Sequence, residues 1–467
     1  MTAIPRFLIS AAHKSSGKTT VSIGLCGALS ARGLKVQAFK KGPDYIDPLW
    51  LHKASGNPCY NLDFYTMDPD EIEDLFLKHG AQADISLIEG NKGLYDGLDI
   101  AGSNSNAALA TLLKTPVVLV LDAQGMTRGI APLILGYIAF DKNIQIAGVI
   151  LNKLGGSRHE GKLRAVIQHY TDVPVLGAIH RQEALHIDER HLGLIPSNET
   201  AQSLRYIKTI SSIVSESVDL DALLAIANQA TAINKISPVT TPQSHALPVR
   251  IAIARDEAFG FYYADDLEAF AQQGATLINI NTLTDQQLPE VDGLFIGGGF
   301  PETNMAALEK NASLRRDIQA KIEQGLPTYA ECGGLMYLCR SLEWNGQQHQ
   351  LVGVIPADVK MHAKPIGRGY ISLEDRGNHP WDRDTQKTGC QRFNAHEFHY
   401  SSLENLPDSL QTAYTVKRGF GIDGQSDGIL YKNLVANYSH FRNLRSNPWV
   451  ERFVQFVRRH KTTSFSS

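Results

Sequence analysis

Ala12-His13-Lys14-Ser15-Ser16-Gly17-Lys18-Thr19-Thr20 decides the fold of the first half of the chain. It follows an apolar run, Phe7-Leu8-Ile9-Ser10, and precedes a periodic stretch over about residues 19–32. The segment therefore reads as a loop between a buried strand and a helix. Apart from Ala12 in place of the first glycine, it matches the phosphate-loop pattern G-x-x-x-x-G-K-[ST]. That chemistry needs Gly17 and its neighbours to turn backbone N–H groups toward phosphate oxygens. Lys18 brings a compact positive charge, Thr19 a hydroxyl suited to Mg²⁺, and Thr20 completes the set. A helix-capping serine loop with a chance lysine is the plain alternative, and the strand-before, helix-after context disfavours it.

Reading outward, Gly33 stops the helix and Lys35-Val36-Gln37-Ala38-Phe39 opens the next strand. Further apolar runs fall at 85–89, 117–122, 146–152 and 175–179, separated by stretches of helical length. Strands alternating with helices predict a doubly wound, mostly parallel α/β sheet, with ligands at the carboxyl ends of its strands. Three segments occupy such ends. Lys40-Lys41-Gly42-Pro43-Asp44-Tyr45-Ile46-Asp47-Pro48 places Asp44 and Asp47 beside two lysines, which suits metal or carboxylate binding and equally suits a turn with aspartate caps. In Ile88-Glu89-Gly90-Asn91-Lys92-Gly93-Leu94-Tyr95-Asp96-Gly97, Glu89 takes the usual place of a Mg²⁺-organising acid beside a phosphate loop, or of a strand-end cap. Asp96 lies on a glycine-hinged loop that could orient a substrate carboxylate. Asn152-Lys153 offers the paired donor and acceptor that would read a nucleotide base.

The character changes between about 227 and 247, and the aperiodic 236–244, with two prolines, reads as a linker. A second alternation begins at Val249-Arg250-Ile251-Ala252-Ile253-Ala254, and after about Leu351 the chain becomes β- and loop-rich. Within it, Tyr329-Ala330-Glu331-Cys332-Gly333-Gly334-Leu335 predicts a cysteine on a tight strand-to-helix turn. The reading expects an exposed sulfur facing a positive helix end, a field that favours the nucleophilic thiolate. Gly297-Gly298-Gly299-Phe300-Pro301-Glu302 is a candidate oxyanion turn, or a structural glycine turn. A base is needed, and His396, His399 and His440 are all candidates. Cys26, Cys59, Cys339 and Cys390 read as buried structural thiols.

Composition limits the remaining classes. A chain of 467 residues, 43% hydrophobic and 20% charged with formal net charge −3, predicts a globular protein of two domains. It carries no basic nucleic-acid surface and no apolar run long enough for a membrane span. The start, Met1-Thr2-Ala3-Ile4-Pro5-Arg6, lacks a signal peptide's apolar core. Five irregularly spaced cysteines fit a reducing cytoplasm rather than a disulfide framework or a zinc site. A homodimer is left open.

Taken in order, these pieces resemble the cobyrinic acid a,c-diamide synthase family of glutamine-dependent tetrapyrrole amidotransferases. The resemblance rests on Gly42-Pro43-Asp44-Tyr45-Ile46-Asp47-Pro48, Glu89-Gly90 with Gly93-Leu94-Tyr95-Asp96-Gly97, the glycine turn at 297–302, and Glu331-Cys332-Gly333-Gly334. It implies a synthetase domain followed by a class I glutamine amidotransferase-like α/β domain, with L-glutamine, ATP, Mg²⁺ and a tetrapyrrole carboxylate as reactants. By position it implies Cys332 as nucleophile, His440 as its base, Lys18 and Thr19 for ATP and Mg²⁺, and Asp44, Tyr45, Glu89 and Asp96 in the synthetase site. Expected boundaries are 1–230 for the synthetase, 231–247 for the linker, 248–448 for the amidotransferase, and 449–467 for a C-terminal helix and frayed tail. Three departures from the family pattern stand out. Ala12 replaces a glycine, Asn91-Lys92 replaces a small apolar pair, and Arg442 stands where a second histidine is usual. The 91–106 loop is also similar to a relative that amidates sirohaem. Two other readings compete. One is a partition-type regulatory ATPase with a vestigial second domain, disfavoured by His13 where such ATPases carry a lysine. The other is dethiobiotin-synthetase-like chemistry, which needs no glutaminase half.

Overall fold

A computed structural model describes residues 4–185, 189–190, 193–199, 202–233, 235, 247–381 and 391–464, and the chain divides into two compact units, Met1–Val239 and Thr240–Ser467. The 236–244 stretch read as linker and Cys390 lie outside the described residues. Ahead of them, the Thr231 carbonyl accepts from Arg6 and Lys235 pairs with Asp74 at 3.0 Å, so this part of the expected linker packs on the first unit. Among the described residues no helix is long and apolar enough to cross a membrane.

The first unit is built on seven strands: β1 (Arg6–Ala11), β2 (Val36–Lys41), β3 (Tyr60–Leu62), β4 (Ile85–Glu89), β5 (Val117–Asp122), β6 (Ile146–Leu154) and β7 (Val175–His180). Their order is β3-β2-β4-β1-β5-β6-β7, and every pairing is parallel. All six residues of β1 are buried because it lies at mid-sheet with both faces covered, as its unbroken apolar run requires. The chain leaves β1 toward β2 on one side and later returns to β5 on the other. The strand order therefore reverses beside β1, and the crevice that this opens faces the loop after it. That loop leads into α1 (Lys18–Ala31), which is buried on most sides. Gly24 lets α1 approach the helix Ser203–Ser217 closely, for a Cβ there would lie 2.3 Å from Val214 Cγ2. The short strand β3 was not visible in the sequence; three residues give no periodicity to read.

The second unit carries a nine-stranded mixed sheet. Val249–Ala254, Ala275–Ile280, Gly293–Ile296, Thr328–Glu331 and Leu434–Asn437 form its parallel half. Ser426–Tyr431, Gln411–Arg418, Gly367–Asp375 and Arg392–His399 extend it in antiparallel fashion, which is what the β-rich region after Leu351 becomes. The helix Trp449–Ser464 packs Trp449, Phe453 and Val457 against Phe295 and Tyr329 in one of the unit's cores. The tail expected to fray from Thr462 continues this helix through Ser464, and 465–467 lie outside the described residues.

Gly24→Val should destabilise the first unit by about 1–3 kcal/mol through overpacking against Val214. Thermal unfolding resolved by unit measures it, and an unchanged first-unit transition would show that the helices move apart at no cost.

Candidate functional site

The loop after β1 holds two residues in left-handed backbone, Ser15 at φ 64° and Gly17 at φ 87°. Such a turn is what directs successive N–H groups inward. Asn152 fixes it from β6. Its Nδ2 donates to the Ser16 carbonyl at 2.9 Å, and it sits where a Cβ on Gly17 would lie, 2.2 Å away. Lys153 Nζ donates to the Ser15 carbonyl at 2.7 Å and pairs with Asp122 at 2.9 Å. Both residues line the cavity and their polar groups also hold the loop. At the loop's start the Ala12 carbonyl accepts from Tyr137 Oη at 2.7 Å, so this departure leaves the turn intact.

A cavity of about 1320 Å³ opens over the loop, lined among others by Lys18, Thr19, Lys40, Asp47, Glu89 and Lys92. At its floor the Thr19 hydroxyl lies 2.8 Å from Glu89 Oε1 and 3.2 Å from Asp47 Oδ2. Lys40, buried at the end of β2, enters the same cluster. Its ammonium is hydrogen-bonded to Asp47, lies 2.8 Å from Glu89 Oε1, and is 3.7 Å from Asp44. Burial alone would discharge Lys40, but the carboxylates of Asp47, Glu89 and Asp44 outweigh it and hold the ammonium well above its ordinary value. Burial likewise acts to raise Asp47, and Lys40's charge and hydrogen bond pull it below the usual carboxylate range. Glu89 stays above its ordinary value, chiefly from burial. Lys18 is pushed down to about 8, first by burial and then by the charge of Lys40.

The other expected residues of this site divide. Asp44 Oδ1 accepts from Ile46 N at 2.9 Å and Asp47 N at 3.1 Å, capping the helix Ile46–Ser55; Asp47, one turn along, is the acid that reaches Thr19. Tyr45 is buried at the start of that helix, and Asp96 braces its own loop by accepting from Gly93 N at 2.8 Å. Neither lines the cavity. Sequence reasoning missed Asn106, whose buried amide donates to the carbonyls of Asn91 and Gly93 and accepts from Asn91 N at 3.1 Å. It shapes the 90–93 loop from a distance that no local motif encodes.

Among the described residues no three His, Cys, Asp or Glu side chains form a complete metal cage. What the cluster offers is one hydroxyl and two carboxylates, with the buried Glu89 Oε2 left without a hydrogen-bond partner. This partial oxygen set fits Mg²⁺, which keeps waters and phosphate oxygens as its other ligands.

In the second unit, Thr328–Glu331 ends at Cys332, whose backbone sits at φ 48° and ψ −103° before the six-residue helix Gly333–Leu338. A Cβ on Gly334 would fall 2.1 Å from the Ile296 carbonyl, so only glycine lets the turn sit this close to its neighbouring strand. The cysteine is 6% exposed, a correction to the expected open sulfur. The reason is the strand Arg392–His399, whose Phe398 carbonyl lies 3.8 Å from Sγ, together with a following helix that is itself buried.

Of the three candidate bases, the structure brings His440 to Cys332. Burial would strip the imidazole of its proton, but hydrogen bonding and charge from Cys332, with a smaller contribution from Glu331, hold it up at about 10. The His396 backbone pairs with that of His440, at 2.7 Å from His440 N to His396 O, while the His396 ring is pushed down to about 3 by burial and then by His440. His399 is also pushed down, to about 4, chiefly by burial; it stacks on Tyr438 and hydrogen-bonds to the Ser401 carbonyl at 2.8 Å. Both are architecture. The glycine turn abuts the base: a Cβ on Gly298 would meet His440 Cε1 at 2.5 Å. Cys26, Cys59 and Cys339 are buried thiols whose burial raises their pKa, in keeping with inert roles.

Since the His440 pKa is raised from 6.5 to about 10, its contribution to folding is whole below pH 6.5 and is lost as pH rises through 10. Its charge is then constant between pH 7 and 9. Glutamine hydrolysis should show no break near pH 6.5 in kcat/KM, and a break there would mean that His440 titrates as a free imidazole.

Comparison with known proteins finds a match for each of the two units. Residues 8–195 match the CobQ/CobB/MinD/ParA nucleotide binding domain, and 250–448 match the CobB/CobQ-like glutamine amidotransferase domain. A cobyrinate a,c-diamide synthase of Magnetococcus marinus is 44% identical, covering 97% of each chain. Its namesake from Methanosarcina acetivorans is 40% identical over 95% of this chain and 93% of its own. That of Archaeoglobus fulgidus is 39% identical over 97% of both.

Proposed function

The chain belongs to the cobyrinate a,c-diamide synthase family, and from that premise we propose that it amidates acetate side chains of a cobyrinate-type tetrapyrrole, using ATP and glutamine. One observation carries the reading: a phosphate loop backed by Thr19, Asp47 and Glu89 and a Cys332–His440 pair occur in one chain. Ammonia released by the second half is consumed by the first.

In the glutaminase half, Cys332 Sγ attacks the glutamine γ-carboxamide carbon. The C–N bond breaks, His440 passes its proton to the departing ammonia, and a thioester remains. Water then hydrolyses the thioester to glutamate and restores the thiol. Burial of the 6%-exposed Cys332 keeps bulk water from competing with its contact to His440. A reducing cytoplasm suits the chemistry, since Cys332 must stay a thiol.

In the synthetase half, the N–H groups of the 12–19 loop and Lys18 hold ATP's phosphates. Thr19, Asp47 and Glu89 would hold Mg²⁺, which when bound offsets phosphate charge. Lys18, half-discharged by burial near pH 8, regains full charge when an anion arrives beside it. A substrate carboxylate oxygen attacks the γ-phosphorus and ADP leaves. Ammonia then attacks the acyl carbon and phosphate leaves, giving the amide. Lys92 lines the same cavity and adds a cation for a substrate carboxylate.

The test is mass spectrometry of reactions with cobyrinate, sirohydrochlorin and sirohaem run in parallel. Cobyrinate should gain one or two amides with matching ADP; a gain confined to sirohaem would move the protein to the sirohaem-amidating branch. ADP formed with no amide on any acceptor would sink the ligase reading in favour of a regulatory ATPase. Cys332→Ala should abolish glutamine-supported synthesis by at least about 10⁴-fold while ammonia-supported synthesis persists. Loss of both would contradict the division of labour.

A further inference from the structure

The position two residues after His440 is occupied by Arg442, which is committed elsewhere. Its Nε donates to Asp265 Oδ2 at 2.9 Å, and its guanidinium lies over the Tyr263 ring at 5.1 Å. The carboxylate facing His440 comes from the residue next to the nucleophile. Glu331 Oε2 stands 3.6 Å from His440 Nδ1, an ion-pair distance a few tenths of an ångström beyond a direct hydrogen bond. Its other oxygen is fixed by two donors, Tyr329 Oη at 2.7 Å and Phe441 N at 2.9 Å. Tyr329 is itself held, accepting from Asn437 Nδ2 at 3.0 Å.

Glu331 is 3% exposed, and no Lys or Arg pairs with it among the described residues. A carboxylate so placed is costly unless a cation offsets it, and His440 is the cation within reach. The strained turn at Cys332 makes the arrangement possible. Adjacent strand residues ordinarily point to opposite faces, whereas here the turn brings Glu331 and Cys332 to the same imidazole.

Resting on the amidotransferase reading above, we propose that Glu331 is the positioning residue of the glutaminase step. It orients the His440 ring and keeps the proton on Nδ1, the part that the carboxylate of a nucleophile–base–carboxylate triad plays. The titratable groups that face His440 are Cys332 on the turn, Glu331 on Thr328–Glu331, and His396 and His399 on Arg392–His399. The two histidines are pushed down and carry no charge at neutral pH, so Glu331 is the carboxylate that faces the imidazolium.

The experiment uses the full chain. Glu331→Gln keeps the shape and an oxygen for Tyr329 and Phe441 but removes the charge. Glutamine-hydrolysis kcat should fall about 100-fold or more with KM little changed, ammonia-supported synthesis should be untouched, and the kcat profile should gain a break toward pH 6.5. Glu331→Asp should recover part of the loss. Wild-type hydrolysis by Glu331→Gln overturns the proposal, as does parallel loss of the ammonia-supported activity, which marks a structural role. Should Glu331→Gln not fold, Tyr329→Phe decides. It removes one of the two donors and should lower glutaminase kcat about five- to tenfold, the worth of one hydrogen bond; an unchanged kcat overturns the proposal. Failure of the underlying reading looks different: wild-type protein would then hydrolyse no glutamine, or Cys332→Ala would hydrolyse it normally.

Discussion

A cysteine held at φ 48° and ψ −103° is the constraint around which the second unit is arranged. A β-substituted residue in that region costs about 1–3 kcal/mol and persists only where its surroundings over-determine it. They do so here. The Cys332 N–H donates to the Asn437 carbonyl at 2.7 Å, tying the turn to the neighbouring parallel strand. Leu335 and Met336, one turn into the following helix, join Ile296, Ala330 and Tyr438 in a buried core. Strand pairing and apolar burial therefore fix the turn from both ends. With it fixed, His440 at the end of the adjacent strand has one place to sit, between Cys332 and Glu331.

The first unit solves a related problem with different chemistry. Here too a buried parallel strand ends in left-handed backbone and enters a helix, so the reactive groups gather at a carboxyl edge of the sheet. The charge to be managed is negative, because Asp47 and Glu89 converge on Thr19. Lys40 offsets it from within a cluster that is mostly buried. Removing either sign alone would leave an uncompensated buried charge, which is far costlier than losing a surface pair.

The sequence was most legible where local pattern and chemistry coincide. Short apolar runs located the strands Ile85–Glu89 and Val117–Asp122 at their observed limits, and the phosphate loop followed from its position between strand and helix. It was least legible where function depends on which way a side chain turns. Asp44 and Asp47 are three residues apart with equal chemical claims, but one caps its own helix and the other reaches Thr19. His396 and His440 are neighbours through their backbones, so only the fold shows whose ring meets the thiol. Strand alternation assigns Glu331 to the face opposite Cys332, so the cysteine motif alone does not reveal its place beside His440. The sulfur's burial depends on a strand more than sixty residues away in sequence, which no motif around Cys332 records.

The three departures from the family pattern then acquire physical accounts of their own. Arg442 needs no histidine's role once Glu331 supplies the carboxylate and Asp265 takes the guanidinium. Asn91 answers to Lys41, a buried ammonium that donates to Asn91 Oδ1 at 3.1 Å and is pushed down to about 8 chiefly by burial. An apolar residue at 91 would remove that acceptor from a buried donor, so the two positions are linked, and a change at one constrains the other. Lys92, exposed at φ 44°, bears no such structural duty among the described residues; it lines the cavity and carries a charge into it. Both residues line the cavity, Asn91 tied to Lys41 and Lys92 carrying a charge into it. The Lys41–Asn91 contact thus holds the loop that presents the charge at 92.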